Sequence, residues 1–305
     1  MAPIPSFSLL FLLFSFAFPS SSSATTRKLS AVEQQPILKY HNGALLKGNM
    51  TVNLIWYGKF SSTQHSIIVD FLNSLSSLKS ASSSPSVSSW WKTTGKYKGG
   101  SSSVVVGKQT IDEKYSFGKA LKTSQLTALA LKAGYGHGNA VNVVLTSADV
   151  AVDGFCMSRC GTHGSVRVKK SRFPYAWVGN SVSQCPGYCA WPFHQPVYGS
   201  QTPPLVAPNG DVGVDGMVIN LATVLAGTGP AEAPLEAVSA CTGIFGKGAY
   251  PGYPGEVLVD KTTGASYNAV GGNGRKYLLP AMWIPKHRLA KHFCEATKLK
   301  VAMHA

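Results

Sequence analysis

Met50-Thr51-Val52-Asn53-Leu54-Ile55-Trp56-Tyr57 is rich in β-branched and aromatic residues and alternates, imperfectly, between apolar and polar positions. That pattern predicts a strand. Ser61-Ser62-Thr63 follows with N-cap candidates, and Ile67, Ile68, Phe71, Leu72, Leu75 and Leu78 then recur at helical spacing. Further along, SVVVG at 103–107 reads as a second strand and AVNVVL at 140–145 as a third. Between them LKTSQLTALALKA at 121–133 reads as a helix, with Gly134 as its stop. The order β-α-β-α-β predicts a mixed, partly parallel sheet with covering helices. The expected class is α+β, with a disulfide-braced, loop-rich second half.

The remaining segments are weaker signals. Residues 80–89 are Ser-rich and read as a loop. Val87, Trp90, Trp91 and Tyr97 form a bulky apolar cluster suited to core filling; an exposed Trp pair would suit a sugar face instead. Beyond Asp149 the chain reads as loop, with buried helices expected at 215–226 and 234–240. A strand is expected at 256–260, a turn at Thr263-Gly264 and an apolar segment at 278–284.

Composition sets the compartment. The chain has 305 residues, 44% hydrophobic but only 13% charged, with 28 Lys+Arg against 13 Asp+Glu. The net charge of +15 favours polyanionic partners. Residues 6–18 (SFSLLFLLFSFAF) form an apolar run, and Ser22 and Ala24 follow at signal-peptidase spacing. The run falls short of the roughly 20 residues a bilayer needs. Residues 1–24 therefore read as a cleaved secretory signal, with no membrane span after it. Residues 25–36 read as a flexible mature N-terminus, 37–284 as a single domain and 285–305 as a basic, weakly ordered tail. Asn42-Gly43 is a turn signal. Asn49-Met50-Thr51 is an N-glycosylation acceptor pattern.

Residues 156–204 carry the densest chemistry. They hold Cys156, Cys160, Cys185 and Cys189, with His163, Trp177, Trp191 and His194 among them. Cysteine and histidine together are a zinc donor set. A secreted route makes disulfides the default instead. Spacing suggests that each C-x-x-x-C closes a local loop, Cys156 with Cys160 and Cys185 with Cys189. Cys241 would then bridge to Cys294.

Other chemistries find little support. No G-x-S-x-G elbow and no H-E-x-x-H motif occurs. Asp211, Asp215, Glu256 and Asp260 are the carboxylates a glycosidase pair would draw on, but caps, turns and surface acids account for them more simply. Glycines 271, 272 and 274, and Gly243 with Gly246, read as turn glycines, not phosphate loops. Lys169-Lys170-Ser171-Arg172 and the tail concentrate positive charge. No catalytic residue, metal or cofactor is expected.

Several stretches carry a family resemblance. They are YHNGALL at 40–46, VNLIWYG at 52–58, PSVSSWW at 85–91 and Phe155-Cys156 with CGTHG at 160–164. YAWVGN at 175–180, QCPGYCAWPF at 184–193 and PLEAVSAC at 234–241 complete the set. Over residues 38–284 the chain resembles the plant EXORDIUM family, also called the phosphate-induced protein family. The resemblance implies a secreted, apoplastic or cell-wall protein linked to growth, cell expansion and brassinosteroid or carbon responses. It brings no catalytic residue with it. The basic surface and the secreted route point to an acidic cell-wall polysaccharide or a cell-surface protein as partner, and not nucleic acid. The alternative is a wall polysaccharide or peptide hydrolase. That reading needs His163, His194 or an acid converging in a cleft with a perturbed pKa.

Two departures stand out. After Leu225-Ala226-Gly227-Thr228 the family's Asn-Pro-Phe segment is missing, and the tail is longer and more basic than the family's short ending. Cys294 stands for the family's terminal cysteine. The family's helix before that segment is also similar to the zinc helix of zincin metallopeptidases. On that overlay Thr223, Val224 and Gly227 stand where ligands and general base would be. Thr223 is a poor zinc ligand and Val224 cannot activate water. The overlay implies a degenerate zincin-like scaffold that has lost its metal.

Overall fold

The computed structural model describes residues 48–77, 85–97, 101–134, 139–168, 171–199, 201–227, 236–284 and 293–295, all within the unit Pro36–Ala305. The expected leader, the N-terminal segment, the Asn42-Gly43 turn, Lys169-Lys170 and the segment from Thr228 to Leu235 lie outside the described residues.

β1 (Gly48–Tyr57) leads into α1 (Ser62–Leu75). Ser61 caps this helix reciprocally: Gln64 N donates to Ser61 Oγ at 3.2 Å, and Ser61 N donates to Gln64 Oε1 at 3.0 Å. α2 (Val87–Lys92) begins inside the Ser-rich stretch expected to be loop. The serines themselves explain the difference, because Ser86 and Ser89 form the same reciprocal cap. The helix carries Trp90 and Trp91 into the core, each 3% exposed.

β2 (Ser101–Asp112), β3 (Ala120–Leu121), α3 (Thr123–Lys132), β4 (Ala140–Thr146) and β5 (Ala151–Val152) follow. Then come β6 (Gly161–Val168) and β7 (Ser171–Gly179). The central sheet has the order β2-β1-β4-β7-β6. β2, β1, β4 and β7 run parallel, and β6 is an antiparallel edge strand. The chain steps outward from β1 to β2 through α1, then back across β1 to β4 through α3. Crossovers of one hand in opposite directions put the two helices on opposite faces. β1 shows this side chain by side chain. Met50, Val52, Leu54 and Trp56 join the core of α1, and Ile55 and Tyr57 join that of α3.

The expectation of a loop-rich chain after Asp149 is therefore corrected at residues 161–179. The β6–β7 hairpin completes the sheet, with Gly161 opposite Val178 and His163 opposite Ala176. GTHGSVRV is poor in strand formers, so its strand arises from pairing with β7.

α4 (Pro186–Cys189) precedes α5 (Val212–Ala226), which matches the expected buried helix and shares the α1 face. The helix expected at 234–240 is, among the described residues, only a 3-10 turn at Ser239–Cys241. Small two-stranded pieces follow: β8 (Leu258–Val259) with β9 (Ser266–Tyr267), and β10 (Ala269–Val270) with β11 (Lys276–Tyr277). The strand expected at 256–260 shrinks to β8. β12 (Met282–Ile284) pairs antiparallel with β13 (Phe293–Glu295), so this part of the expected weakly ordered tail is a strand. No helix among the described residues is long and apolar enough to cross a membrane.

Asn268 staples the last third together. Its side chain donates to Phe245 O at 2.9 Å and Leu279 O at 2.7 Å, and accepts from Leu279 N at 2.8 Å. It is 5% exposed. Asn268→Ala will strand three buried backbone groups and lower stability by about 3 kcal/mol, read from the urea midpoint. A shift below one third of that would show that the backbone repairs itself.

Candidate functional site

The four cysteines of residues 156–189 pair across, not within, their motifs. Cys156 bonds Cys185 and Cys160 bonds Cys189, each over a sequence separation of 29. The local loops expected from spacing are overturned. The reason is tertiary: one C-x-x-x-C precedes β6 and the other follows β7, so the hairpin brings their ends together. The two bridges form a ladder. Cys241 is also disulfide-bonded and fully buried. Its expected partner Cys294 has its side chain outside the described residues.

The ladder rests on α5. Asn220 Nδ2 donates to Cys189 O and to Gly216 O, each at 2.9 Å. Gly216 permits the approach, since a Cβ there would stand 2.9 Å from Ala190 Cα. Between ladder, helix and the 238–245 turn lies a cavity of about 370 Å³. It opens at the C-terminal end of the parallel strands, because Gly161, which lines it, faces the penultimate residue of β7. Ligands of open α/β sheets collect at that end.

Three kinds of group line the cavity. Apolar walls come from Ile219, Val224, Val238 and Phe245. Aromatic surface comes from Trp191, whose ring lies 5.8 Å from that of Phe245, and from Tyr188, which is 45% exposed. Asn220, Thr223 and Thr242 are polar, and their donors are committed inward. Thr223 Oγ1 donates to Ile219 O at 2.9 Å and Thr242 Oγ1 to Ser239 O at 2.8 Å. Their oxygens remain as acceptors. Arg159 also lines the cavity.

The residues singled out from sequence scatter. His163 pairs with Glu236 Oε1 at 2.7 Å, tying β6 to the segment after α5. Gly227, the third zincin-overlay position, makes room for that carboxylate, since a Cβ would meet Glu236 Oε2 at 1.8 Å. His194 is exposed, its Nδ1 3.0 Å from Gln195 O. Neither histidine lines the cavity. Trp177 is buried in the α3-side core, where its Nε1 donates to Thr146 Oγ1 at 3.0 Å and its ring meets Phe155 edge-on. Of the four, Trp191 alone joins the cavity. Thr223 and Val224, from the zincin overlay, join it too. The described residues contain no cluster of His, Cys, Asp or Glu fit to hold a metal.

The carboxylates hold structure. Asp211 caps α5 by accepting from Val214 N at 2.9 Å, and Asp260 pairs with Lys276. Asp215 sits in the first turn of α5, 2% exposed. It accepts from Asn209 N at 2.8 Å and Asn209 Nδ2 at 2.6 Å. Burial pushes its carboxyl up to about 7, against the pull of the Asn209 donors. Arg275 stands one residue removed, donating to Asn209 Oδ1 and Asp70 Oδ2, each at 3.0 Å.

Sequence reasoning missed Arg159, Tyr188, Asn220 and Thr242 as cavity residues. One signal was present: Asn220 is a polar residue in the apolar run MVINLATVLA.

The family model for the conserved region of phosphate-induced protein 1 matches residues 38–293. The chain is 61% identical to Protein EXORDIUM-like 2 of Arabidopsis thaliana, covering 92% of this chain and 96% of that one. It is 57% identical to Protein PHOSPHATE-INDUCED 1 of Nicotiana tabacum, over 90% and 94% of the two chains. It is 56% identical to Protein EXORDIUM of Arabidopsis thaliana, over 91% and 96%. No solved structure matches. The chain belongs to the EXORDIUM, or phosphate-induced protein 1, family.

Proposed function

We propose that this chain is a secreted, apoplastic glycoprotein that promotes growth and cell expansion, in brassinosteroid- or carbon-status-dependent growth control. It acts as a non-catalytic binding factor through the cavity under the disulfide ladder. The observation that carries the reading is the pair Thr223 and Val224 in the cavity wall. On the sequence overlay with zincins these two positions fall where ligand and general base would be, and an aliphatic side chain and a hydroxyl committed to a backbone carbonyl supply neither. A degenerate zincin-like scaffold would keep the cleft and lose the chemistry.

The disulfides suit an oxidising compartment. Asn49 is exposed at the N-terminal end of β1, so a glycan there would stand at the opposite end of the sheet from the cavity. A growth role accords with relatives named EXORDIUM.

Seedlings expressing the full chain test this. The protein is expected in apoplastic wash fluid, glycosylated at Asn49, with increased organ length. A His194→Ala variant, at an exposed histidine outside the cavity, should promote growth equally. Retention inside the cell would overturn the reading. So would stoichiometric zinc whose chelation abolishes the growth effect.

A further inference from the structure

The cavity has a composition that selects a ligand class. Tyr188 and Trp191 present aromatic surface. Gly243 keeps the Trp191 ring open: it sits at φ +76, and a Cβ there would stand 3.4 Å from Trp191 Cζ3. The α5 wall and the 238–245 turn offer oxygen acceptors. Asn220 spends its amide nitrogen on Cys189 O and Gly216 O, which leaves its carboxamide oxygen as an acceptor. Thr223 and Thr242 spend their protons on backbone carbonyls and keep their lone pairs. Aromatic faces and oxygen acceptors lining one cavity fit a sugar, whose ring stacks and whose edge hydroxyls donate.

Charge narrows the class further. Arg159 is exposed, and no ion pair among the described residues engages it. Among the described residues no acidic side chain lines the cavity. The Arg159 backbone is fixed by its place in the ladder: Cys156 N donates to Arg159 O at 3.0 Å, between bridged Cys156 and Cys160. Cys156 and Ser158 hold left-handed φ values of 66° and 60°, which non-glycine residues adopt only under outside constraint. The rigid loop fixes where the Arg159 side chain starts, and its guanidinium is the cavity's carboxylate-binding group. The aromatic surface also extends beyond the cavity. Gly187 packs against Val197 beside Tyr198, 87% exposed, and Thr202 ties that loop to Gly252 between Tyr250 and Tyr253, whose tilted rings lie 5.1 Å apart.

We propose that this cavity binds a uronic acid residue of an acidic polysaccharide, with its ring face on Tyr188 and Trp191 and its carboxylate on Arg159. The proposal rests on the non-catalytic binding role above and names its ligand. Neighbouring sugars of the polymer would run over the Tyr198 and Tyr250 loops.

Calorimetric titration of the mature protein with a short oligomer of galacturonic acid tests it, beside its methyl ester and a neutral glucan oligomer of equal length. The acid should bind at least tenfold more tightly than either control. Arg159→Ala should remove that preference, and Tyr188→Ala should weaken all three ligands. Both residues are exposed, so the fold is expected to survive. Arg167→Ala, an exposed arginine on β6, should change binding less than twofold. Absence of binding would overturn the proposal. So would equal affinity for the neutral oligomer, or equal losses from Arg159→Ala and Arg167→Ala, which would mark diffuse attraction. Chain cleavage of the oligomer would sink the non-catalytic reading. Intact oligomer with no Arg159 dependence would sink the uronate site alone.

Discussion

Replacing all four ladder cysteines, Cys156, Cys160, Cys185 and Cys189, by serine will lower stability by about 6 kcal/mol and leave little folded protein at 37 °C. Replacing one bridge alone will cost about 2–3 kcal/mol. The asymmetry follows from loop closure. Each bridge spans 29 residues in sequence, and closing such a loop for the first time restricts the unfolded chain by about 3.5 kcal/mol. Once one bridge is in place, the second closes only the short ring formed by the two C-x-x-x-C segments. That ring holds about ten residues and is worth about 2.5 kcal/mol. The loss from both bridges should therefore exceed the sum of the single losses. Urea midpoints of the three variants measure this. If one bridge alone costs as much as both, the ladder is not two cooperating closures. All four cysteines pack against the α3-side core, but Cys189 alone is a buried member of it, so the Cys160–Cys189 bridge should be the costlier single loss.

Stability will fall as pH rises from about 4 to about 7, and Asp215 will account for the fall. The sign follows from proton counting. In the folded protein burial raises the Asp215 carboxyl to about 7, while in the unfolded chain it titrates near its ordinary 3.8. Between those values the native state holds a proton that the unfolded state has lost, so native structure is favoured by acid. The contribution is full below about pH 4 and gone above about pH 7. Its ceiling is about 4 kcal/mol, a figure that already contains the opposing pull of the two Asn209 donors. Unfolding midpoints of wild type and Asp215→Asn between pH 4 and pH 8 decide the matter. The variant should lose the slope, whatever its absolute stability. A slope unchanged in the variant would assign it to another group. The consequence reaches the site, because Asp215 anchors the first turn of α5 and the later turns of the same helix wall the cavity.

The first half of the fold was legible in the residues. β1 alternates because one row of its side chains meets α1 and α5 while the other meets α3. Ser61 and Gln64 announce α1 through a cap that depends on neighbours three residues apart. The helix α5 was legible as a mostly apolar run. Of its polar residues, Asp215 marks a buried acid, and Asn220 and Thr223 mark the wall of the cavity. The Ser-rich stretch misled, because serine favours loops and helix starts alike, and only the placement of Ser86 and Ser89 three apart decides between them.

The later elements were not legible for a different reason. β6 contains glycines, a histidine and an arginine, and it is a strand only because β7 offers it a full register of partners. The disulfide pairing depends on that same hairpin. Spacing along the chain brings Cys156 nearest to Cys160, but distance through space brings it to Cys185.

Local preferences, which act over a few residues, determined the β-α-β-α-β order, the caps, the buried helix and the cysteine-rich stretch as the place to look. Only the tertiary structure decided how the cysteines pair, which aromatic residues face solvent, and that Arg159, Tyr188, Trp191 and Asn220 share one cavity. Those outcomes depend on contacts between residues far apart in the chain, and no local pattern records them.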